Sequence, residues 1–514
     1  MKRLPELLEG LPGLKHAGPV PEIPIHGVTA DSRTVQPGTL FVAWQGKSAD
    51  GHAYLPDALH QGAVALLVEK PVEPPPDVPV FYTENARLSY AHLCQRWFDF
   101  PDKHLFCVGI TGTNGKSSTA YYLYQLWQGL GYKTGLIGTV FCLCGEEVLP
   151  ATLTTPDSYE LYRLFRYFAD RGVTHVAMEV SSIALDQYRT AGLTFQGAIF
   201  TNLSHDHLDY HGTFIAYRDA KKRLFDTLSA GSFALTNVDD KNGLFMLQNT
   251  AALRYGYSVQ GIADFQLILR ESGLWGIAYA LIARLEGAHP KQSELPFTSK
   301  VENLHAALIG SFQAYNLLAA TAAAFLGEKP EKNTEKQELW YRLAQLSTGL
   351  RTLPGRLEPI PLSGGRLGLV DYAHTPDAIE KVLRALRPLV PEGGKLIAVL
   401  GAGGNRDRTK RGPMAEAAAR WADQVFLTSD NPRYEDPLAI LEDMYAPLSP
   451  ALREKVVRIP DRAEAIRTAV RLAPPHSLIA VLGKGHESYQ EIQGVKHPFS
   501  DTEILLSYAE VDHA

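Results

Sequence analysis

The chain has 514 residues, 45% of them hydrophobic, and a formal net charge of −6. That length supplies about three domains with real cores, and without a basic excess there is no nucleic-acid footprint. Four cysteines (Cys94, Cys107, Cys142 and Cys144) make no disulfide framework, no apolar run is long enough to span a bilayer, and Pro5, Glu6, Glu9 and Pro12 break any apolar leader, so the expectation is a soluble cytoplasmic protein.

The first segment carries T-A-D-S-R-T-V-Q-P-G-T-L-F-V-A from Thr29 to Ala43. Pro37-Gly38 marks a turn and Leu40 to Ala43 a strand. A loop, G-K-S-A-D-G-H, runs from Gly46 to His52. It reads either as a polar surface connection or as an anion site, because hydroxyls, backbone N–H groups and a lysine suit a diphosphate. The proline-rich stretch 71–80 reads as an internal loop, since a strand (Val80 to Tyr82) and a helical pattern to about Phe98 follow it. The segment ends near Phe100-Pro101-Asp102.

An apolar strand from Leu105 to Ile110 then leads into a Gly-rich turn, Gly112 to Gly115, and a helix opening with Lys116, Ser117 and Ser118. This is the layout of a phosphate loop: backbone N–H groups and a helix N-terminus face an anion. Lys116 is expected on the β- and γ-phosphates of ATP and the Ser117 hydroxyl on Mg2+. The commonest spacing is absent, because Ile110 stands where its first glycine belongs.

The T-G-T-N-G-K-S loop and the D-S-R…P-G-x-L-F-V-A pattern resemble the Mur ligases, relatives of folylpolyglutamate synthase that form amide bonds at the expense of ATP. The likeness covers nearly the whole chain. It implies that Ala30, Ser32, Lys47, Ser48 and Ala49 contact the uridine diphosphate part of the substrate. It also implies that Gly112, Thr113, Asn114, Gly115, Lys116, Ser117 and Ser118 hold ATP.

Further along, T-L-T-T-P-D spans Thr152 to Asp157, and Pro156 fits the first turn of a helix. The strand H-V-A-M-E ends in Glu179, on the ligand side of an α/β sheet. Glu179 reads as a Mg2+ ligand facing the loop or as a capping or salt-bridged acid. The resemblance assigns Thr154, Thr155, Ser181, Gln187 and Arg189 to the muramoyl-dipeptide, although Ile183 stands where the family has histidine. In S-H-D-H-L-D-Y-H a zinc site competes as an idea, but zinc prefers a sparser His/Cys set. The resemblance makes His207 a ligand of a second Mg2+ and Lys221 a carbamylated lysine. Lys222 and Arg223 read as a solvated basic face, and 288–300 as a loop. The helix opening G-S-F-Q-A-Y-N carries Asn316, implied to contact adenine, with Gln313 where the family has asparagine.

In the last segment, Arg356 of P-G-R-L-E is implied to reach the ATP phosphates, and Asp371 and His374 to approach the ribose. Three apolar strands each end in Gly or Asn followed by charge, which reads as a doubly wound sheet. The D-N-P-R element (Asp430, Asn431, Pro432, Arg433) resembles the family marker for meso-diaminopimelate, with Arg406, Gly483 and Glu487 assisting. An arginine fork suits the extra carboxylate that diaminopimelate has and lysine lacks.

The expectation is therefore an α/β protein of three domains. Residues 1–103 form an α/β UDP-sugar-binding domain, 104–348 a P-loop-type ATPase domain with a mainly parallel sheet, and 349–514 a Rossmann-like amino-acid-binding domain. The implied reaction joins meso-diaminopimelate to the D-Glu side chain of UDP-N-acetylmuramoyl-L-Ala-D-Glu through an acyl phosphate, with two Mg2+ ions, by a monomer. Catalysis would rest on Lys116, Glu179, His207 and Lys221. Three alternatives stay open: the same ligation with L-lysine or L-ornithine; a folylpolyglutamate synthase, which shares the loop but not the D-S-R domain or D-N-P-R; and a P-loop NTPase with no amine acceptor.

Overall fold

The computed structural model describes residues 1–509 apart from 17, 47–48, 74, 152 and 286–295, so Lys47, Ser48 and Thr152 lie outside the described residues. Three sheets organise the chain. The first has five strands in the order Leu14–Lys15, Val80–Thr83, Ala63–Val68, Thr39–Ala43, Gly27–Thr29. The central strands, ALLV and TLFVA, are continuous apolar runs, as strands covered on both faces require. The helix Ala86–Trp97, capped by Asn85, packs on this sheet. Tyr162 of a later helix joins the same core, and Tyr159 meets Phe98 edge-on at 5.1 Å.

The second sheet has eleven strands. Its middle runs parallel: Thr134–Ile137, His175–Glu179, Phe106–Thr111, Gly197–Phe200, Phe233–Asn237, Leu253–Ser258. Antiparallel strands extend both edges. Phe106–Thr111 has His175–Glu179 on one side and Gly197–Phe200 on the other, so the loop that follows it opens where the connections part to either side. That crevice is where open α/β sheets bind ligands. The helix Lys116–Leu130 packs against the Ala-rich helix Gln313–Glu328, whose Ala319, Ala320 and Ala322–Ala324 are all fully buried. Side chains this small let two helices approach closely within a close-packed core.

The third sheet has six strands, in the order Arg356–Leu362, Arg366–Asp371, Leu478–Leu482, Leu396–Leu400, Gln424–Leu427, Val456–Arg458. All pairs are parallel except the Arg356–Leu362 edge. Among the described residues no helix is long and apolar enough to cross a membrane.

Three sequence expectations need correction. Asp157, not Pro156, opens its helix: it is the N-cap of Ser158–Asp170 and Pro156 stays outside. Residues 297–300 belong to the strand Phe297–Ala306, because alternate residues there face the core. Lys222 is buried, ion-paired with Asp226 and donating to the Gln248 carbonyl at 2.7 Å, so it is no solvated face.

Candidate active site

The loop between Phe106–Thr111 and Lys116–Leu130 opens into a cavity of about 410 Å3. Its backbone depends on two glycines. At Gly112 (φ +149°) a Cβ would lie 1.9 Å from the Thr201 hydroxyl, and at Gly115 (φ +86°) 2.4 Å from the Asn316 amide oxygen. Lys116 Nζ curls back and donates to the carbonyls of Gly112 (3.0 Å) and Thr113 (2.8 Å). Burial pushes its pKa down, against the pull of Glu179 and Asp206.

Oxygen donors gather beside it. Ser117 Oγ donates to Glu179 Oε2 at 2.9 Å. The Thr139 N–H and hydroxyl donate to the same carboxylate at 2.7 and 3.1 Å. Arg356, from the third sheet, crosses over and donates to Ser117 Oγ at 3.1 Å. Its Nε is buried without a hydrogen-bond partner among the described residues, and its guanidinium lies 4.8 Å from the Tyr372 ring centre. Among the described residues no three His, Cys, Asp or Glu side chains converge. One carboxylate and one hydroxyl at a phosphate loop suit Mg2+, which keeps several waters and takes its remaining ligands from the substrate.

Lys221 is buried and donates to the Gly112 carbonyl at 2.8 Å. Burial lowers its pKa well below the lysine range, and nearby Lys116 adds to the effect. Lys221 faces the loop and Lys222 turns away to Asp226. Lys221 Nζ sits 4.5 Å from the Tyr217 ring centre, and the His207 ring lies 6.2 Å from the same ring. His207 itself has φ 52°, is nearly half exposed, and lies 3.5 Å from Asp206. Burial would raise the Asp206 carboxyl, but His207, His374 and Lys116 outweigh it and hold the pKa below the usual range.

The far wall mixes two sheets. Gln313 Oε1 accepts from Tyr122 OH and Asn316 Nδ2, both at 3.0 Å, so these two amides are tied to each other. Phe312 and Tyr315 extend the wall. The Asp371 oxygens accept the Leu357 and Ala373 N–H groups, each at 2.8 Å, and burial raises its pKa. His374 Nδ1 donates to the Tyr372 carbonyl at 2.8 Å, leaving Nε2 as an acceptor. Asp377 closes the seam: its Oδ2 accepts from Asn114 Nδ2 (3.0 Å), Ser204 Oγ (2.8 Å) and Lys381 Nζ (2.9 Å).

On the dipeptide side, Thr154 reaches the cavity and its hydroxyl accepts from Thr139 at 3.1 Å. Thr155 is buried, donating to the Glu179 carbonyl at 2.9 Å and accepting from the Ser181 N–H at 3.0 Å. Ser181 caps a short helix, and Arg189 donates to Gln187 Oε1 (2.7 and 3.0 Å) and the Thr155 carbonyl (2.9 Å). Ala30 and Ser32 stand at the end of Gly27–Thr29, and the Ala49 carbonyl accepts from the Gly46 N–H at 2.9 Å.

The D-N-P-R element follows the end of Gln424–Leu427. Arg433 has φ 52°, donates Nη1 to the Gly404 carbonyl (2.8 Å) and pairs Nε with Glu491 (3.2 Å). Arg406, exposed on the adjacent loop, passes the same point: a Cβ on Gly403 would lie 3.1 Å from Arg433 Nη1 and 3.5 Å from Arg406 Cγ. Asn431 is buried and donates to Glu487 at 2.8 Å, and Gly483 has φ +113° at its strand end.

Sequence reasoning missed Thr139, Asp206, Asp377 and Lys484. Asp206 stood in the quoted S-H-D-H-L-D-Y-H run, Asp377 lies in the first turn of a helix and Lys484 two residues past a strand, and their charges were the available signal. Thr139 carried no such signal.

Residues 24–93, 110–324 and 355–485 match three family models, described as Mur ligase family catalytic domain, Mur ligase middle domain, and Mur ligase glutamate ligase domain. A Bacteroides fragilis protein named UDP-N-acetylmuramoyl-L-alanyl-D-glutamate–2,6-diaminopimelate ligase is 44% identical over 98% of both chains. An Aquifex aeolicus protein of the same name is 40% identical, covering 94% of this chain and 93% of that one. A solved structure with that name is 30% identical, with a TM-score of 0.66, over 100% of this chain and 99% of the other. A Mycobacterium tuberculosis folylpolyglutamate synthase structure (17% identical, TM-score 0.60, 78% of this chain and 93% of the other) shares the fold.

Proposed function

The chain belongs to the Mur ligase family, and from that premise we propose that it is an ATP-dependent ligase adding meso-diaminopimelate to UDP-N-acetylmuramoyl-L-Ala-D-Glu. Relatives carrying the diaminopimelate ligase name over nearly the full length support this reading. The observation that carries the choice of amino acid is Arg433 beside the Arg406 loop at Gly403, in the same D-N-P-R element whose Asn431 holds Glu487. Diaminopimelate's far end is a carboxylate and an ammonium together. An arginine and an acid in one element complement both charges, whereas lysine would leave the arginine without a ligand carboxylate.

In this reading Lys116 neutralises the transferring phosphoryl group. Ser117 and Glu179 would hold a Mg2+ ion, and His207 with a carbamylated Lys221 a second; the metal supplies charge stabilisation on the phosphates. Lys221 suits carbamylation because a neutral amine is the form that adds CO2, and burial favours that form. Arg356 holds the phosphates from the third domain, Asp371 and His374 face the ribose, and Asn316 with Tyr315 and Phe312 the base. Thr154, Ser181, Gln187 and Arg189 orient the dipeptide, and Ala30, Ser32 and Ala49 the uridine diphosphate. The amine attacks the acyl phosphate, the C–O bond breaks, and phosphate leaves. The closed seam excludes water that would hydrolyse that intermediate. Domain boundaries at 103/104 and 348/349, a monomeric state and a cytoplasmic location belong to the same reading.

The test is phosphate release from ATP with UDP-N-acetylmuramoyl-L-Ala-D-Glu, adding meso-diaminopimelate, L-lysine or L-ornithine in separate tubes. Release with diaminopimelate alone is expected. Release with lysine or ornithine would keep the ligase and overturn the Arg433 argument. Equal release in every tube, including one without an amine, would make the protein an NTPase.

A further inference from the structure

We infer that Lys484 is a positioning residue for the acceptor amino acid, the buried cation that holds Glu487 and Asp430 ready for the ligand's ammonium. The inference rests on the acceptor site proposed above.

Lys484 follows the strand Leu478–Leu482 by two residues and is 0% exposed. Its ammonium donates to Asn431 Oδ1 and to Glu487 Oε2, both at 3.0 Å, and lies 3.5 Å from Asp430 Oδ1. Asn431 Nδ2 donates to the same Glu487 Oε2 at 2.8 Å. Two donors therefore grip one carboxylate oxygen from the protein side, fixing the direction in which the other, Oε1, faces. Among the described residues Asp430 Oδ1 has no hydrogen-bond partner, and Lys484 is the cation paired with it.

The charge arrangement explains why a lysine belongs here. Two carboxylates confined in one partly buried cluster repel each other, and a cation between them offsets that repulsion. Arg462 also feels both acids, but its guanidinium is committed to Asp501 at 2.6 and 2.7 Å. Tyr372 faces the same acids and stays protonated, since burial pushes its pKa up to about 12. The Tyr489 ring, 5.7 Å from Lys484 Nζ, adds no cation. Lys484 is left as the local countercharge, and through Asn431 it also joins the D-N-P-R and G-K-G-H-E elements into one unit.

The experiment is steady-state kinetics of the full chain, varying meso-diaminopimelate at saturating ATP and UDP-N-acetylmuramoyl-dipeptide. Lys484→Met is expected to raise KM for diaminopimelate about tenfold or more, the size of losing a charge-assisted hydrogen bond. Its kcat and its KM for ATP should stay within about twofold of wild type, and Lys484→Arg should recover most of the loss. An unchanged KM for diaminopimelate overturns the inference. So does a rise in the KM of all three substrates together, which is what damaged packing would give. Should Lys484→Met not fold, Asn431→Ala frees Glu487 while keeping the cation: a smaller KM rise for diaminopimelate supports the inference, and no change overturns it. If the wild type uses lysine instead, the substrate reading fails, and the same variants assayed on lysine still decide the role of Lys484.

Discussion

Lys221 and Lys222 are adjacent in sequence and opposite in chemistry. Lys222 has an acid partner; Lys221 has one carbonyl and an aromatic face. Because the folded state lowers the Lys221 pKa, the unfolded chain binds more protons there. Stability therefore rises with pH between the depressed folded pKa and the ordinary lysine value. Lys221→Met is expected to lose turnover by at least about a hundredfold while melting no lower than wild type near pH 7, because it removes a group whose protonation opposes folding. Calorimetry and a phosphate-release assay on one preparation check both halves; a Lys221→Met enzyme with normal turnover would remove the residue from the mechanism. The sequence could name this lysine only by counting from Tyr217, since nothing in K-K-R distinguishes a neighbour aimed at the loop from one aimed at Asp226. Asn431 and Thr155 were legible as members of a site but not as its buried framework. A motif shows residue type and spacing, while burial follows from what the rest of the chain stacks behind it.

At the scale of elements, the strand–loop–helix at 106–130 was the most legible part, because its apolar run, glycines and Lys-Ser pair each have a local physical cause. The glycines also explain the unusual spacing. Ile110 fills a strand position in the core, fully buried, and the tight approach is made at Gly112, against Thr201 of the neighbouring strand's end. Gly112→Ala should cost about 2 kcal/mol or more of stability through overpacking and backbone strain, and abolish nucleotide binding. Thermal melting with and without ATP reads both; a variant that melts normally and is still stabilised by ATP would show that the loop tolerates a side chain. The edges of the large sheet were less legible. The strand at 297–306 follows a polar, proline-containing stretch, and only its pairing with Gly276–Leu285 reveals it as a strand.

Across the whole molecule, the seam between the second and third sheets is closed by Arg356 on Ser117 and by Asp377, which the sequence did not single out. Asp377 holds Asn114 and Ser204 across it. Asp377→Ala is expected to loosen closure and let water compete with the amine, so phosphate released per peptide bond formed should rise above one to one. Measuring both products in one reaction checks this, and a ratio that stays at unity with normal turnover would mean the latch is dispensable. Gly355 has a larger consequence. A Cβ there would lie 2.2 Å from the His486 nitrogen and 2.4 Å from the Gly485 carbonyl carbon, so the turn carrying Arg356 is pressed directly onto the strand-end loop carrying Lys484 and Glu487. The two are packed as one unit. In the proposed reading that unit joins the nucleotide site to the amino-acid site, and thermodynamic reciprocity applies to any coupling: whatever factor the amino acid adds to nucleotide affinity, the nucleotide adds to amino-acid affinity.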